Sequence, residues 1–161
     1  MRPGLLLRRA VLSDVPALAA LEAACFTHPW TPAQVHEEVA RVPPDMVLVL
    51  EAPPDPAGAP AGIRAYCSFR LVVDEMQVMN VAVHPSYRRR GLARRLLAFA
   101  MARAARAGAR RALLELRAGN REALALYESL GFRSLGVRRA YYAEPTEDAL
   151  VLAREPCVDE S

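Results

Sequence analysis

The sequence predicts a mixed α/β domain, a central sheet with helices on its faces. Two observations carry that prediction. Short runs of strand character alternate with longer stretches whose apolar residues recur at helical spacing. The chain is also apolar enough to build a core, with 161 residues of which 53% are hydrophobic and 24% charged. That length gives room for one compact domain and not two. The domain is expected over residues 1–154, and the polar stretch 155–161 is expected to be a loose tail.

The elements follow in order. Leu5 to Val11 is a short apolar strand. Ser13-Asp14 supplies capping side chains and Pro16 suits a first helical turn, so a helix runs through Val15, Leu18 and Ala19 to Cys25. Thr31-Pro32 repeats the same logic for a helix through Val35 and Val39 to about Arg41, which Pro43-Pro44 stops. Met46 to Glu51 is a strand. The proline-rich stretch Pro53 to Pro60 must be an exposed loop, which makes Val47–Ala52 and Ala61–Val73 a hairpin. Glu75 to Val83 is a third strand in succession. After His84-Pro85 the period changes, and Leu92, Leu96, Leu97, Ala100, Met101 and Ala104 mark a helix closed by Gly108. Arg111 to Arg117 is a strand with Ala112, Leu114 and Leu116 on one face. Arg121 to Leu130 is a helix with Gly131 as its left-handed terminal residue. Phe132–Tyr142 and Ala149–Ala153 complete the sheet.

Composition excludes several classes of function. A disordered chain would be less hydrophobic and more strongly charged. No apolar run reaches the ~18 residues of a membrane span. Leu5-Leu6-Leu7, followed at once by Arg8 and Arg9, falls short of the about 7–15 apolar residues of a signal peptide. Cysteines 25, 67 and 157 are odd in number and widely spaced, which suits neither a disulfide framework nor a zinc site. A reducing cytoplasm, no membrane and no metal are therefore expected. The net charge is +3, and all 21 basic residues are arginine, a bias of composition more than a functional signal.

Three patches carry chemistry. The first runs from Asn80 to Arg94, where a strand ends, arginines cluster in a turn and Gly91 opens a helix. N–H groups freed at a helix start, at its positive dipole end, bind phosphate oxygens, and Gly91 and Ala93 let a ligand approach the backbone. By spacing alone a solvated basic turn is the favoured reading, because short glycine and arginine clusters are common. The second patch is Leu114 to Asn120. Glu115 lies on the face opposite Leu114 and Leu116, placed either for proton abstraction at a cleft or for an ion pair with Arg117. Asn120 can cap the next helix or reach a ligand. The third patch is Ala125 to Phe132, in which Tyr127 shares a stripe with Ala123, Leu124 and Leu130, as a core tyrosine would.

Together these patches resemble the GNAT superfamily of N-acetyltransferases, which use acetyl-coenzyme A. The superfamily pattern Gln/Arg-x-x-Gly-x-Gly/Ala stands here as Arg88-Arg89-Arg90-Gly91-Leu92-Ala93. Within that superfamily the chain is similar to the RimI type, the ribosomal-protein-alanine N-acetyltransferases. The likeness runs through Phe26–Trp30, Glu75–Arg94, Leu114–Phe132 and Arg138 to Ala149. It implies a single-domain GNAT fold in which Val81, Ala82 and Val83 present backbone groups to the pantetheine arm and acetyl carbonyl. Arg89, Arg90, Gly91, Leu92, Ala93 and Arg94 would line the pyrophosphate turn, with Asn120 also on the cofactor. Glu115 matches the general base and Tyr127 the general acid, while Trp30, Tyr141 and Tyr142 border the acceptor. The usual Asn-Tyr-Tyr-Pro is replaced by Ala140-Tyr141-Tyr142-Ala143, a departure at the acceptor end.

The implied reaction is direct attack of a neutral amine on a thioester. An α-amino group, with pKa about 7.7–8.0 against about 10.4 for lysine, is the easier amine to deprotonate. Glu115 would take its proton, N–H groups of Val81–Val83 would hold the oxyanion, and Tyr127 would protonate the leaving thiolate. The expected partner is the amino terminus of a protein, a small-subunit ribosomal protein beginning with alanine. Two alternatives stand beside it, acetylation of a lysine side chain or small amine, and a non-catalytic RNA-binding module built on Arg88–Arg111. Nucleic-acid grooves pair such charge with several exposed aromatics, and this stretch offers only Phe99, with Tyr87 just before it, so direct nucleic-acid binding is not expected.

Overall fold

The computed structural model describes residues 4–43, 45–54 and 61–158. It holds a mixed sheet of seven strands in the hydrogen-bonded order β1-β2-β3-β4-β5-β7-β6. The strands are β1 (Leu6–Arg9), β2 (Met46–Ala52), β3 (Gly62–Val72), β4 (Glu75–Val83), β5 (Arg111–Arg117), β6 (Arg133–Tyr142) and β7 (Glu147–Arg154). The helices are α1 (Val15–Cys25), α2 (Pro32–Ala40), α3 (Leu92–Arg106) and α4 (Arg121–Ser129). The mixed α/β class read from the sequence is the class observed. Packing divides the chain into two units, Met1–Arg70 with Met79–Ala100, and Leu71–Val78 with Met101–Ser161.

In the first unit β2 is the spine. It pairs antiparallel with β1 from Leu6↔Glu51 to Arg9↔Leu48, and with β3 from Met46↔Phe69 to Ala52↔Gly62. The β2–β3 hairpin is the one expected. Pro53 and Pro54 lie outside regular structure, and the rest of the expected loop, 55–60, lies outside the described residues. Val47 and Val49 on one face of β2 join Val15, Leu18 and Leu21 of α1 and Val35 and Val39 of α2 in one buried cluster. Met46, Leu48 and Leu50 alternate onto the other face and are buried too, as in a strand covered on both sides.

Helix α2 starts as its sequence dictates. The Gln34 N–H donates to Thr31 Oγ1 at 3.2 Å and the Thr31 N–H donates to Gln34 Oε1 at 2.8 Å, a reciprocal cap with Pro32 at the first position. Helix α1 departs from expectation, because no side chain caps it. The Asp14 carboxylate instead accepts the Val11 N–H at 2.8 Å and a two-pronged bond from Arg8 at 2.7 and 2.9 Å. The Arg8 guanidinium holds the Asp14 carboxyl below its ordinary pKa.

In the second unit the start of β4 pairs parallel with β5, Glu75↔Arg111 to Gln77↔Leu113. Strand β7 pairs antiparallel with β5 on one side and β6 on the other. Along β5 the burial alternates strictly, with Ala112, Leu114 and Leu116 inside. The expected loose tail is corrected for its first residues. Cys157 is 1% exposed, its N–H donates to the Arg110 carbonyl at 2.8 Å and its thiol to the Met101 carbonyl at 3.6 Å. A small apolar thiol gains more from that site than a polar stretch gains from solvent. Residues 159–161 of that tail lie outside the described residues.

Candidate active site

The site residues fall in both units, and each set is built by its own neighbours. In the first unit β4 delivers Val81, Ala82 and Val83 to a sharp turn. The Val83 carbonyl accepts from Arg88 Nε at 3.2 Å and from the Cys25 thiol at 3.3 Å, and the His84 N–H donates to the Arg64 carbonyl at 2.8 Å. A single 3-10 turn, Pro85–Tyr87, follows. Its Ser86 N–H donates to His84 Nδ1 at 3.1 Å. Arg89 and Gly91 then take positive φ, 62° and 76°, and α3 begins at Leu92. The guanidiniums of Arg64 and Arg90 lie 4.7 and 5.0 Å from the Tyr87 ring centroid, which ties the turn to β3.

This turn fits a phosphate group. The Arg95 N–H bonds the Gly91 carbonyl at 3.0 Å, so the N–H groups of Leu92, Ala93 and Arg94 precede the first helical bond. A Cβ built at Gly91 meets no heavy atom of the described residues within 4 Å, so the backbone is open on that side. Leu92 itself is buried and can offer a ligand only its backbone, while Arg89, Arg90 and Arg94 are exposed.

The same unit holds a cluster that the sequence reading missed. Glu22, in α1, is 1% exposed and accepts hydrogen bonds from Tyr66 of β3, Asn80 of β4 and, at 3.0 Å, the Trp30 N–H. Asn80 Nδ2 also donates to the Tyr66 hydroxyl at 3.0 Å. Burial, then Glu22, pushes the Tyr66 phenol far up, so it stays a donor. Trp30 packs against the α1–α2 cluster. The available signal was a carboxylate at a core-facing position, four residues after Leu18 on the apolar stripe of α1.

In the second unit Glu115 stands at the middle of β5, on the face away from Leu114 and Leu116, as expected. Its ion-pair partner is corrected. Arg117 pairs with Glu147 at 3.3 Å, while Glu115 pairs with Arg138 of β6 at 3.2 Å. Arg117 also donates to the Ala143 and Pro145 carbonyls and lies 4.5 Å from the Tyr142 ring centroid. The nearby Glu115 carboxylate raises the Tyr141 pKa; burial, followed by Glu115, raises that of Tyr142. The two tyrosine rings meet edge to face at 5.1 Å. Glu115, Tyr141 and Tyr142 therefore form one cluster.

Tyr127 is half-buried in the last turn of α4, edge to face with Phe132 at 5.7 Å. The Phe132 N–H donates to the Tyr127 carbonyl and the Gly131 N–H to the Glu128 carbonyl, both at 3.0 Å, with Gly131 at φ 90°. This is the Schellman helix ending, and the Tyr127–Phe132 contact is its usual apolar partner pair. Asn120 caps the other end of α4, its Oδ1 accepting the Ala123 N–H at 3.2 Å. Its carbonyl oxygen is thus committed to the helix, and its amide nitrogen is the group a ligand would meet.

Burial raises the pKa of all three cysteine thiols, that of Cys67 to about 12. Among the described residues no group of three His, Cys, Asp or Glu side chains is placed to hold a metal ion, and no helix is long and apolar enough to cross a membrane.

The chain belongs to the acetyltransferase (GNAT) family, whose model matches residues 15–132. It is 36% identical over 151 residues to N-alpha-acetyltransferase RimI of Mycobacterium tuberculosis, covering 89% of this chain and 87% of that one. It is 42% identical over 91 residues to the ribosomal protein bS18-alanine N-acetyltransferase of Escherichia coli (strain K12), covering 55% of this chain and 62% of that protein. The crystal structure of the ribosomal-protein-S18-alanine N-acetyltransferase from Escherichia coli superposes with a TM-score of 0.84 at 28% identity, covering 98% and 97% of the two chains.

Proposed function

We propose that the protein acetylates the α-amino group of a protein N-terminus in the cytoplasm, with alanine at the start of a small-subunit ribosomal protein as the acceptor. The observation that carries this reading is the likeness to an N-alpha-acetyltransferase across 89% of the chain. Acetyl-coenzyme A supplies the activated acetyl thioester. The N–H groups of Leu92, Ala93 and Arg94, with Arg89, Arg90 and the open side of Gly91, would hold its pyrophosphate, and the Asn120 amide would add a contact. Backbone groups of Val81, Ala82 and Val83 would orient the acetyl carbonyl and stabilise charge that develops on its oxygen.

Glu115 accepts the proton of the attacking amine, and the Tyr127 hydroxyl gives one to the departing sulfur. Trp30, Tyr141 and Tyr142 frame the acceptor. The polar face of β5 supports the role of Glu115, whose carboxylate pairs with an exposed arginine. Metal chemistry has no part in this reading, and the arginines of the turn face the coenzyme, not nucleic acid.

Acetyl transfer to two peptides tests it, one beginning with alanine and one with a blocked terminus and an internal lysine. The first is expected to react far faster, because its amine is the easier to deprotonate near neutral pH. Equal rates would overturn the amino-terminal assignment. Failure to bind acetyl-coenzyme A at all would favour the RNA-binding alternative.

A further inference from the structure

The Glu115 carboxylate already has a cationic neighbour. Arg138 Nε lies 3.2 Å from Glu115 Oε1, and Tyr141 is close enough for the same carboxylate to raise its pKa. The sheet explains how Arg138 gets there. Arg138 of β6 pairs with Ala149 of β7, and Ala149 pairs in turn with Arg117 of β5, two residues from Glu115. Ala149 is too small to block a guanidinium reaching across β7. The Arg138 guanidinium also lies 5.5 Å from the Tyr141 ring centroid.

Resting on the reading of Glu115 as proton acceptor, we propose that Arg138 is a specificity-determining residue whose guanidinium holds the place on Glu115 that the acceptor's α-ammonium takes. A terminal amine with pKa about 7.7–8.0 arrives at neutral pH mostly as a cation. It needs an anionic hydrogen-bond acceptor before it can lose its proton, and Arg138 competes for that acceptor. The competition is mild, because the Arg138 side chain is 59% exposed and Glu115 28%, and exposed pairs of this kind are weak. An arriving ammonium therefore displaces the guanidinium into solvent, while a neutral or anionic group gains nothing by entering.

The test is steady-state kinetics of Arg138→Gln and Arg138→Lys with an alanine-starting peptide at saturating acetyl-coenzyme A. Arg138→Gln keeps much of the side chain and removes the charge. KM for the peptide is expected to fall about two- to five-fold, the span of a weak exposed ion pair, with kcat held within about two-fold. Arg138→Lys, which restores a cation, is expected to return KM toward the parent value. An unchanged KM in Arg138→Gln would make Arg138 a bystander, and a raised KM would make it an attractive contact to the peptide; either overturns the proposal. Glu115→Gln separates this failure from that of the underlying reading. If it retains turnover, the proton-acceptor role itself falls. If it is inactive while Arg138→Gln leaves KM unmoved, only the competition is lost.

Discussion

In the first unit the Glu22 carboxylate is 1% exposed and takes donors from a loop N–H, a phenol and an amide. In the second, the Glu115 carboxylate faces an exposed guanidinium and a phenol on one strand. Three uncharged donors converge on Glu22. A buried carboxylate of that kind persists only if neutral donors saturate it, and removing any of them leaves a costly gap. Glu115 has a partner that solvent can replace. The difference teaches that burial, more than charge, separates a pinned carboxylate from an exchangeable one. Glu22 fixes the backbone at Trp30 and the side chain just before Val81, and Glu115 remains available for exchange.

The contrast can be broken at its reactive end first. Glu115→Gln is expected to lower turnover by about 10²–10⁴-fold, with the thermal midpoint and acetyl-coenzyme A affinity nearly unchanged. Full turnover with a lowered midpoint would make Glu115 structural, like Glu22. Tyr127→Phe keeps the ring against Phe132 and removes only the hydroxyl, so a fall of similar size with both substrates still bound would mark a lost proton donor. A normal rate in that variant removes Tyr127 from the mechanism.

At the buried end, Glu22→Gln is expected to cost about 1–3 kcal/mol in denaturant unfolding. Its amide would present N–H groups where three donors already converge, leaving at least one without an acceptor. An unchanged midpoint would show that the cluster pins nothing. The smallest effect is expected at Ala140, which takes φ 50° in the irregular stretch of β6 between Arg138 and Tyr142. Ala140→Asn restores the residue the resemblance leads one to expect there, and asparagine tolerates left-handed backbone better than alanine. A gain of about 0.5–1 kcal/mol is expected, read as a shifted denaturation midpoint with the slope unchanged.

Much of this was legible in the sequence where the determinants are local. Thr31-Pro32 with Gln34, the alternation of Arg111–Arg117 and the glycine closing α4 each lie within a few residues of what they specify. The misreadings share a different cause. Asp14 was drawn from capping by Arg8, a bond that depends on how β1 leads into the helix. Arg117 found Glu147, 30 residues away, instead of its neighbour Glu115. The Glu22 cluster joins residues separated by 44 and 58 positions, and only the pairing of β3 and β4 with their surroundings brings them together. The resemblance points to Glu115 and Tyr127 but carries no information on what surrounds them.

The end of α4 has one more consequence. Tyr127, Gly131 and Phe132 are linked by a backbone ring that closes only when Gly131 turns left-handed, so the aim of the Tyr127 phenol is set by a residue without a side chain. One residue inserted between Tyr127 and Gly131 would swing the phenol by about 100° around the helix axis while leaving the composition of the segment almost unchanged. The direction of that hydroxyl is thus encoded as a count along the chain, four residues to the glycine and five to the phenylalanine that braces it.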